Sequence, residues 1–195
     1  MDVTSLLWAL LQLITTLSSN GWLPVSTRNG IAVYRRDRSA ALVFRAQGTV
    51  DAPPSAVEQV LLDFERHPQW ASRLVESRIL ERGADWLTVY QRLSLPFIDD
   101  RDFTLRVQWG DDGDRKWLRF TTANDRGPDA RKHTVRVAVN EGSWQLEPID
   151  EGRGTFAVYE ITLEMGGSFP VWMGRGRAIE EVFSLFMTLR AHAHP

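Results

Sequence analysis

The chain has 195 residues, with 23 Lys and Arg against 25 Asp and Glu, and no cysteine. A net charge of -2 excludes a broad electrostatic nucleic-acid binder, and the missing cysteines exclude disulfides, thiolate metal sites and a cysteine nucleophile. The length suits a single domain able to bury about 70% of its unfolded surface, and the eight tryptophans are costly to expose, so many must line something.

Residues 5–17, SLLWALLQLITTL, form the most apolar run. The run is shorter than the roughly 20 residues of a membrane span. It also lacks the basic start of a secretory signal, since the first basic residue is Arg28. It predicts a core-facing helix within residues 1–20, capped by Thr4 or Ser5. Leu6, Leu10, Leu13, Ile14 and Leu17 share one face, and Asn20-Gly21 ends the helix. The expected location is therefore the cytoplasm.

Residues 30–35 and 42–50 read as strands, joined by a polar turn over 36–39. Asp51 or Ser55 is then placed to cap a helix that takes proline in its first turn. Val57, Val60, Leu61 and Phe64 lie on one face of it. The helix is expected to end near His67-Pro68, because a residue before proline avoids helical geometry.

Candidate strands follow at 78–81, 86–95, 102–109, 117–122, 135–139, 143–147 and 155–164. In the third, Phe103, Leu105, Val107 and Trp109 share one face, while Thr104, Arg106 and Gln108 share the other. That alternation predicts one buried and one wet face. The short turn-like connections favour antiparallel hairpins. A helix over 171–191 closes the chain, with Ile179, Val182, Phe183, Phe186, Met187 and Leu189 as its apolar face.

This order predicts an α+β fold, a curved antiparallel sheet wrapped around a long C-terminal helix with an extra N-terminal helix. A sheet with so much apolar inward surface can leave a pocket against its helix. A solid aromatic core is the plainer outcome of the same composition.

Four segments then suggest a family. They are Gly30-Ile31-Ala32-Val33-Tyr34; Asp51-Ala52-Pro53 with Trp70 after it; Leu95-Pro96-Phe97-Ile98-Asp99-Asp100-Arg101-Asp102-Phe103; and Gly166-Gly167-Ser168-Phe169-Pro170-Val171-Trp172. In order and spacing they resemble the START domain, the steroidogenic acute regulatory protein-related lipid-transfer module of the helix-grip (SRPBCC) superfamily. The resemblance covers nearly the whole chain. It implies one START-like domain over 1–195, with a tunnel for one lipid, sterol-like or other apolar molecule. It also implies a gate built from the terminal helix and the loop at Pro96, Phe97 and Ile98. Those three residues form an apolar loop tip, suited either to transient membrane contact or to folding inward on the terminal helix. The chain departs from the sterol-transfer members. Where they place an acidic residue and an arginine facing each other in the tunnel, the corresponding residues here are Gln91 and Val107, which leaves the tunnel neutral.

No catalytic, metal or cofactor site is legible. The histidines, His67, His133, His192 and His194, lack metal-ligand spacing. Asp99, Asp100 and Asp102 around Arg101 read as turn capping with local ion pairs, and Arg101 as structural. The run from Gly110 to Asp114 reads as a hairpin turn. The expected function is binding, and transfer, of one apolar ligand by a monomer with no nucleic-acid partner. The expected wall is Val89, Gln91, Leu93, Phe103, Leu105, Val107, Phe120, Trp144, Leu146 and Tyr159, with Ile179, Phe183 and Phe186 closing it from the helix. Gln91, inward with Val89 and Leu93, is the expected polar anchor, and Arg92 should point out. The alternative is a helix-grip enzyme of the polyketide cyclase, aromatase or hydrolase kind, for which Gln91, Arg92 and Tyr159 are the polar candidates.

Overall fold

Asn29 and Gly30 both take positive φ, 52° and 72°, and join two strands through a two-residue turn. An Asn-Gly pair supplies this conformation at little steric cost. The strands are β1 (Leu23–Arg28) and β2 (Ile31–Asp37), and β2 pairs in turn with β3 (Leu42–Val50). The computed structural model describes residues 21–38, 41–71, 73–96, 98–167 and 171–194. The helix expected within 1–20 lies outside the described residues, as does Phe97.

β2 and β3 fall where the sequence places them. β1 was not expected. It is a mostly exposed edge strand, LPVSTR, and carries no alternation to read. Its proline is tolerated there because an edge strand has a free side. The next element, α1 (Pro54–Leu62), has Pro53 at its N-cap with no side-chain cap, so neither Asp51 nor Ser55 performs that role. Val57 and Leu61 are its buried face, as expected. The α-helix stops at Leu62, short of His67-Pro68. A 3-10 turn over Phe64–Gln69 carries the chain through Pro68 and buries Phe64 and His67. Tightening the turn rotates both rings inward.

The rest of the sheet comprises β4 (Leu74–Arg82), β5 (Trp86–Leu93), β6 (Asp100–Asp112) and β7 (Arg115–Thr122). It continues with β8 (Thr134–Arg136), β9 (Val139–Ile149) and β10 (Gly154–Glu164). The strand order is β1-β2-β3-β10-β9-β7-β6-β5-β4, antiparallel along that path. The short β8 departs from the expected hairpins and runs parallel to β6. The segment 135–139, expected as one strand, is divided between β8 and β9.

Alternation on β6 holds for Phe103, Leu105 and Val107, which are buried. Its opposite face is not wet throughout, because Asp102 and Thr104 are also buried. The segment 123–137 covers them. Asn124 accepts from the Thr104 amide through Oδ1 and donates to the Val137 carbonyl through Nδ2. Gly127 lies against Thr104 so closely that a Cβ there would sit 2.1 Å from its hydroxyl. Local periodicity cannot report a covering loop that arrives from 20 residues downstream.

The 22-residue helix α2 (Val171–His192) lies across the concave face of the sheet. Val182, Phe183, Phe186 and Leu189 are buried against β2, β3, β9 and α1. Met187, expected on that face, is 44% exposed instead. Its position falls between the rows that meet the sheet. The C-terminal half of the helix is fixed by Arg190, which donates to the carbonyls of Asn29 and Thr49. Among the described residues no helix is long and apolar enough to cross a membrane.

Candidate ligand-binding cavity

The sheet grips the C-terminal half of α2 tightly and stands away from the half before it. The gap is a cavity of about 1130 Å³. Of the residues named from the sequence, Leu93, Phe103, Leu105, Val107, Phe120, Trp144 and Tyr159 line it from the sheet, together with Gln91. Trp144 and Tyr159 stack at 4.5 Å, and Phe120 lies 6.3 Å from Tyr159. Gly142 allows this aromatic layer to form, since a Cβ there would meet the Phe120 ring at 2.5 Å.

Other expected wall residues lie elsewhere. Val89 and Leu146 are fully buried in the cores beside the cavity and do not line it. Ile179, Phe183 and Phe186 do not close it either. Phe183 carries the Arg28 guanidinium 3.9 Å above its ring, and Phe186 packs 5.5 Å from Trp144. The helix contributes Arg177, Ala178, Glu181, Val182 and Leu185. Their spacing of three and four residues is a face of its own, rotated from the bulky residues. Leu95, Pro96, Ile98, Met165 and Gly167 sit at the cavity's loop end. Ile98 both lines the cavity and is 44% exposed, so a single residue of the loop tip meets both environments.

The polar groups differ most from expectation. Gln91 is buried and lines the cavity, but its Nε2 donates to Ser77 Oγ at 3.0 Å. Arg92 points outward as expected and pairs with Glu76 and Asp100. Arg101 also lines the cavity, where burial lowers its pKa and Asp99 partly opposes that shift. It donates to the carbonyls of Met165 and Asp99, which ties the start of β6 to the entry of α2.

Several further polar groups on the wall were not found by reading the sequence, Arg177 among them. Arg73 and Glu181 pair at 3.6 Å between the loop before β4 and α2. His67 is held between Phe64 and Trp70, with ring centroids 4.7 and 4.4 Å away. Its Nε2 donates to the Val60 carbonyl at 3.3 Å. Burial brings its pKa down to about 4, against smaller opposing contributions from Val60, Asp63 and Leu61. The last is Asn140, at the start of β9. Burial also raises the Tyr159 pKa, so its hydroxyl stays protonated. His133 is exposed, 3.9 Å from Asp99, and among the described residues no group of His, Asp and Glu has the makings of a metal site.

Comparison with known proteins places this geometry. The family model for polyketide cyclase / dehydrase and lipid transport matches residues 50–185. An uncharacterized protein of Pseudomonas aeruginosa, PA1579, is 24% identical over 176 residues, covering 88% of this chain and 86% of that one. The crystal structure of a STAR-related lipid transfer protein from Xanthomonas axonopodis superposes with a TM-score of 0.80 at 26% identity. It covers 89% of this chain and 98% of that chain. Human StAR-related lipid transfer protein 5 superposes with a TM-score of 0.76 at 16% identity, over 95% of this chain and 92% of that one, and so shares the fold. The sheet that curls around a terminal helix is thus the START helix-grip fold, and the chain belongs to the polyketide cyclase / dehydrase and lipid transport family.

Proposed function

We propose that the chain holds one lipid or sterol-like molecule in the cavity between sheet and helix and carries it between membranes. The observation that carries this reading is the cavity itself, about 1130 Å³ behind a wall of Leu, Phe, Val and Trp side chains. Cavities that take small apolar molecules have this character, with a few polar groups fixing orientation. Affinity would come mainly from apolar area removed from water, at about 25 cal/mol per Å² before the costs of association. Gln91 and Val107 add no charge to the wall, whose charged groups include Arg101 and the paired Arg73 and Glu181. The similarity to a lipid transfer protein of Xanthomonas axonopodis supports the same reading. Turnover is poorly served by these groups. His67 has a pKa near 4, which makes it a weak general base at neutral pH.

The test is native mass spectrometry of the purified protein, followed by organic extraction and lipid analysis. One lipid-sized adduct per chain is expected. Ala178→Trp, which projects an indole from α2 into the cavity, should reduce loading at least about tenfold while far-ultraviolet circular dichroism is unchanged. Full loading in a folded A178W protein would place the ligand elsewhere.

A further inference from the structure

We infer that a second, polar cleft beside the loop end of the cavity binds the phosphate group of a phosphate monoester. The cleft lies outside the space between sheet and helix, and the inference goes beyond the ligand-binding reading above.

The cleft measures about 450 Å³ and opens between residues 98–100, where β6 begins, and residues 131–134, which lead into β8. Arg92 of β5 lines it as well. The two segments are fixed to each other. Asp100 pairs with Thr134 in the parallel ladder, and its amide donates to the His133 carbonyl at 3.1 Å. His133 holds a φ of 56°, a left-handed conformation that is costly for a non-glycine residue and persists only where its surroundings impose it. The cleft is therefore formed before any ligand arrives.

Cations exceed carboxylates around it. Glu76 is shared by three guanidiniums, those of Arg78 at 3.4 Å, Arg92 at 3.3 Å and Arg131 at 2.9 Å. One carboxylate cannot neutralise all three. Asp100 takes Arg92 at 2.6 Å, and Asp99 lies 3.9 Å from His133. Lys132 makes no ion pair among the described residues. Arg78, Arg92, Arg131 and Lys132 thus stand against Glu76, Asp99 and Asp100, and the balance is positive.

Hydrogen-bond donors are in surplus too. Arg131 uses both Nη atoms on Glu76, while Arg92 uses Nε and Nη1 and keeps Nη2 free. The Lys132 ammonium and the Thr134 hydroxyl make no hydrogen bond among the described residues. Guanidinium and ammonium groups meet phosphate oxygens in short, charge-assisted hydrogen bonds. A phosphate monoester carries close to two negative charges and three acceptor oxygens at neutral pH. It satisfies donors that a neutral molecule or a single carboxylate leaves unpaired. The volume falls within the range of small-molecule sites, so the cleft takes the phosphate together with the group that carries it. Ile98 and Asp99 line both spaces, so an occupant of the cleft touches the loop that borders the larger cavity.

Such a phosphate comes either from a soluble ester or from a lipid headgroup, and the probes separate the two. Glycerol phosphate is titrated against glycerol and read by amide chemical shifts of isotope-labelled protein. Vesicles of phosphatidylcholine with phosphatidic acid are compared, by sedimentation, with vesicles carrying phosphatidylglycerol at equal charge. Shifts with glycerol phosphate should gather at residues 98–100 and 131–134 and weaken as salt rises, and glycerol should produce none. Lys132 and Arg153 are both exposed, so either can be changed without disturbing the core. Lys132→Glu should weaken phosphate binding at least about tenfold. Arg153→Glu, the same charge change in the β9–β10 turn, should leave it within about twofold. Binding of glycerol phosphate assigns a soluble ester, and a preference for phosphatidic acid that K132E abolishes assigns a headgroup; both support the site. Shifts confined to other residues, equal losses in K132E and R153E, or no glycerol phosphate binding together with no preference for phosphatidic acid would overturn it. None of these outcomes bears on loading of the larger cavity, which mass spectrometry reads separately.

Discussion

Replacing Arg136 by leucine is expected to destabilise the protein by about 3 kcal/mol, read as a fall in the urea midpoint at unchanged slope. Arg136 grips Asp102 with two parallel hydrogen bonds, Nε to Oδ1 at 2.8 Å and Nη2 to Oδ2 at 3.1 Å. Tyr90 donates to Oδ2 from the other side, also at 3.1 Å. The Asp102 side chain is only 2% exposed. Truncating the arginine leaves a buried carboxylate with one neutral donor, and uncompensated charges of that kind are among the costliest single changes. The guanidinium also donates to the Pro128 carbonyl, so the variant releases the loop that covers β6. Arg136→Leu with Asp102→Asn should lose less than R136L alone, since a neutral amide does not need the counter-charge. An R136L midpoint within about 1 kcal/mol of wild type would make the pair equivalent to an ordinary surface bridge.

The same network shows what local pattern can and cannot report. Periodicity on β5 and β6 identifies the inward face correctly at Gln91, Leu93, Phe103, Leu105 and Val107. It says nothing about how far along a strand the cavity extends. Val89 shares the face of Gln91 yet lies in the packed core, although its ladder partner Leu105 lines the cavity. On α2 the bulky residues drew attention to the wrong row. Phe183 and Phe186 anchor the helix, while the cavity needs smaller or longer side chains such as Ala178, Val182 and Glu181. Buried polar residues were the least legible. Asn140 and His67 are unremarkable in sequence, and only the meeting of distant elements buries them. β1 escaped notice for the opposite reason, since an edge strand carries little burial pattern to read.

His67 gives that last group a measurable consequence. Between pH 6.5 and pH 4 the protein should lose about 3 kcal/mol of stability from this residue alone. Buried between Phe64 and Trp70, the ring is kept neutral in the fold, with a pKa lowered from 6.5 to about 4. The unfolded chain binds a proton in that window and the folded chain does not. Stability is therefore complete above pH 6.5, falls as pH falls, and stops changing from this source below pH 4. Glu76, whose pKa its bonds to Arg92 and Arg131 hold below the usual 4.5, adds a loss only at lower pH. Urea midpoints at closely spaced pH values would resolve the two. His67→Gln should flatten the profile above pH 4.5 whatever its stability at neutral pH, because glutamine can still donate to the Val60 carbonyl but does not titrate. An unchanged slope in H67Q would move the titration to another group. Since His67 also lines the cavity, protonation there sets a cation against an apolar wall, and the stability profile of the empty protein and its retention of a neutral ligand should fall together in acid.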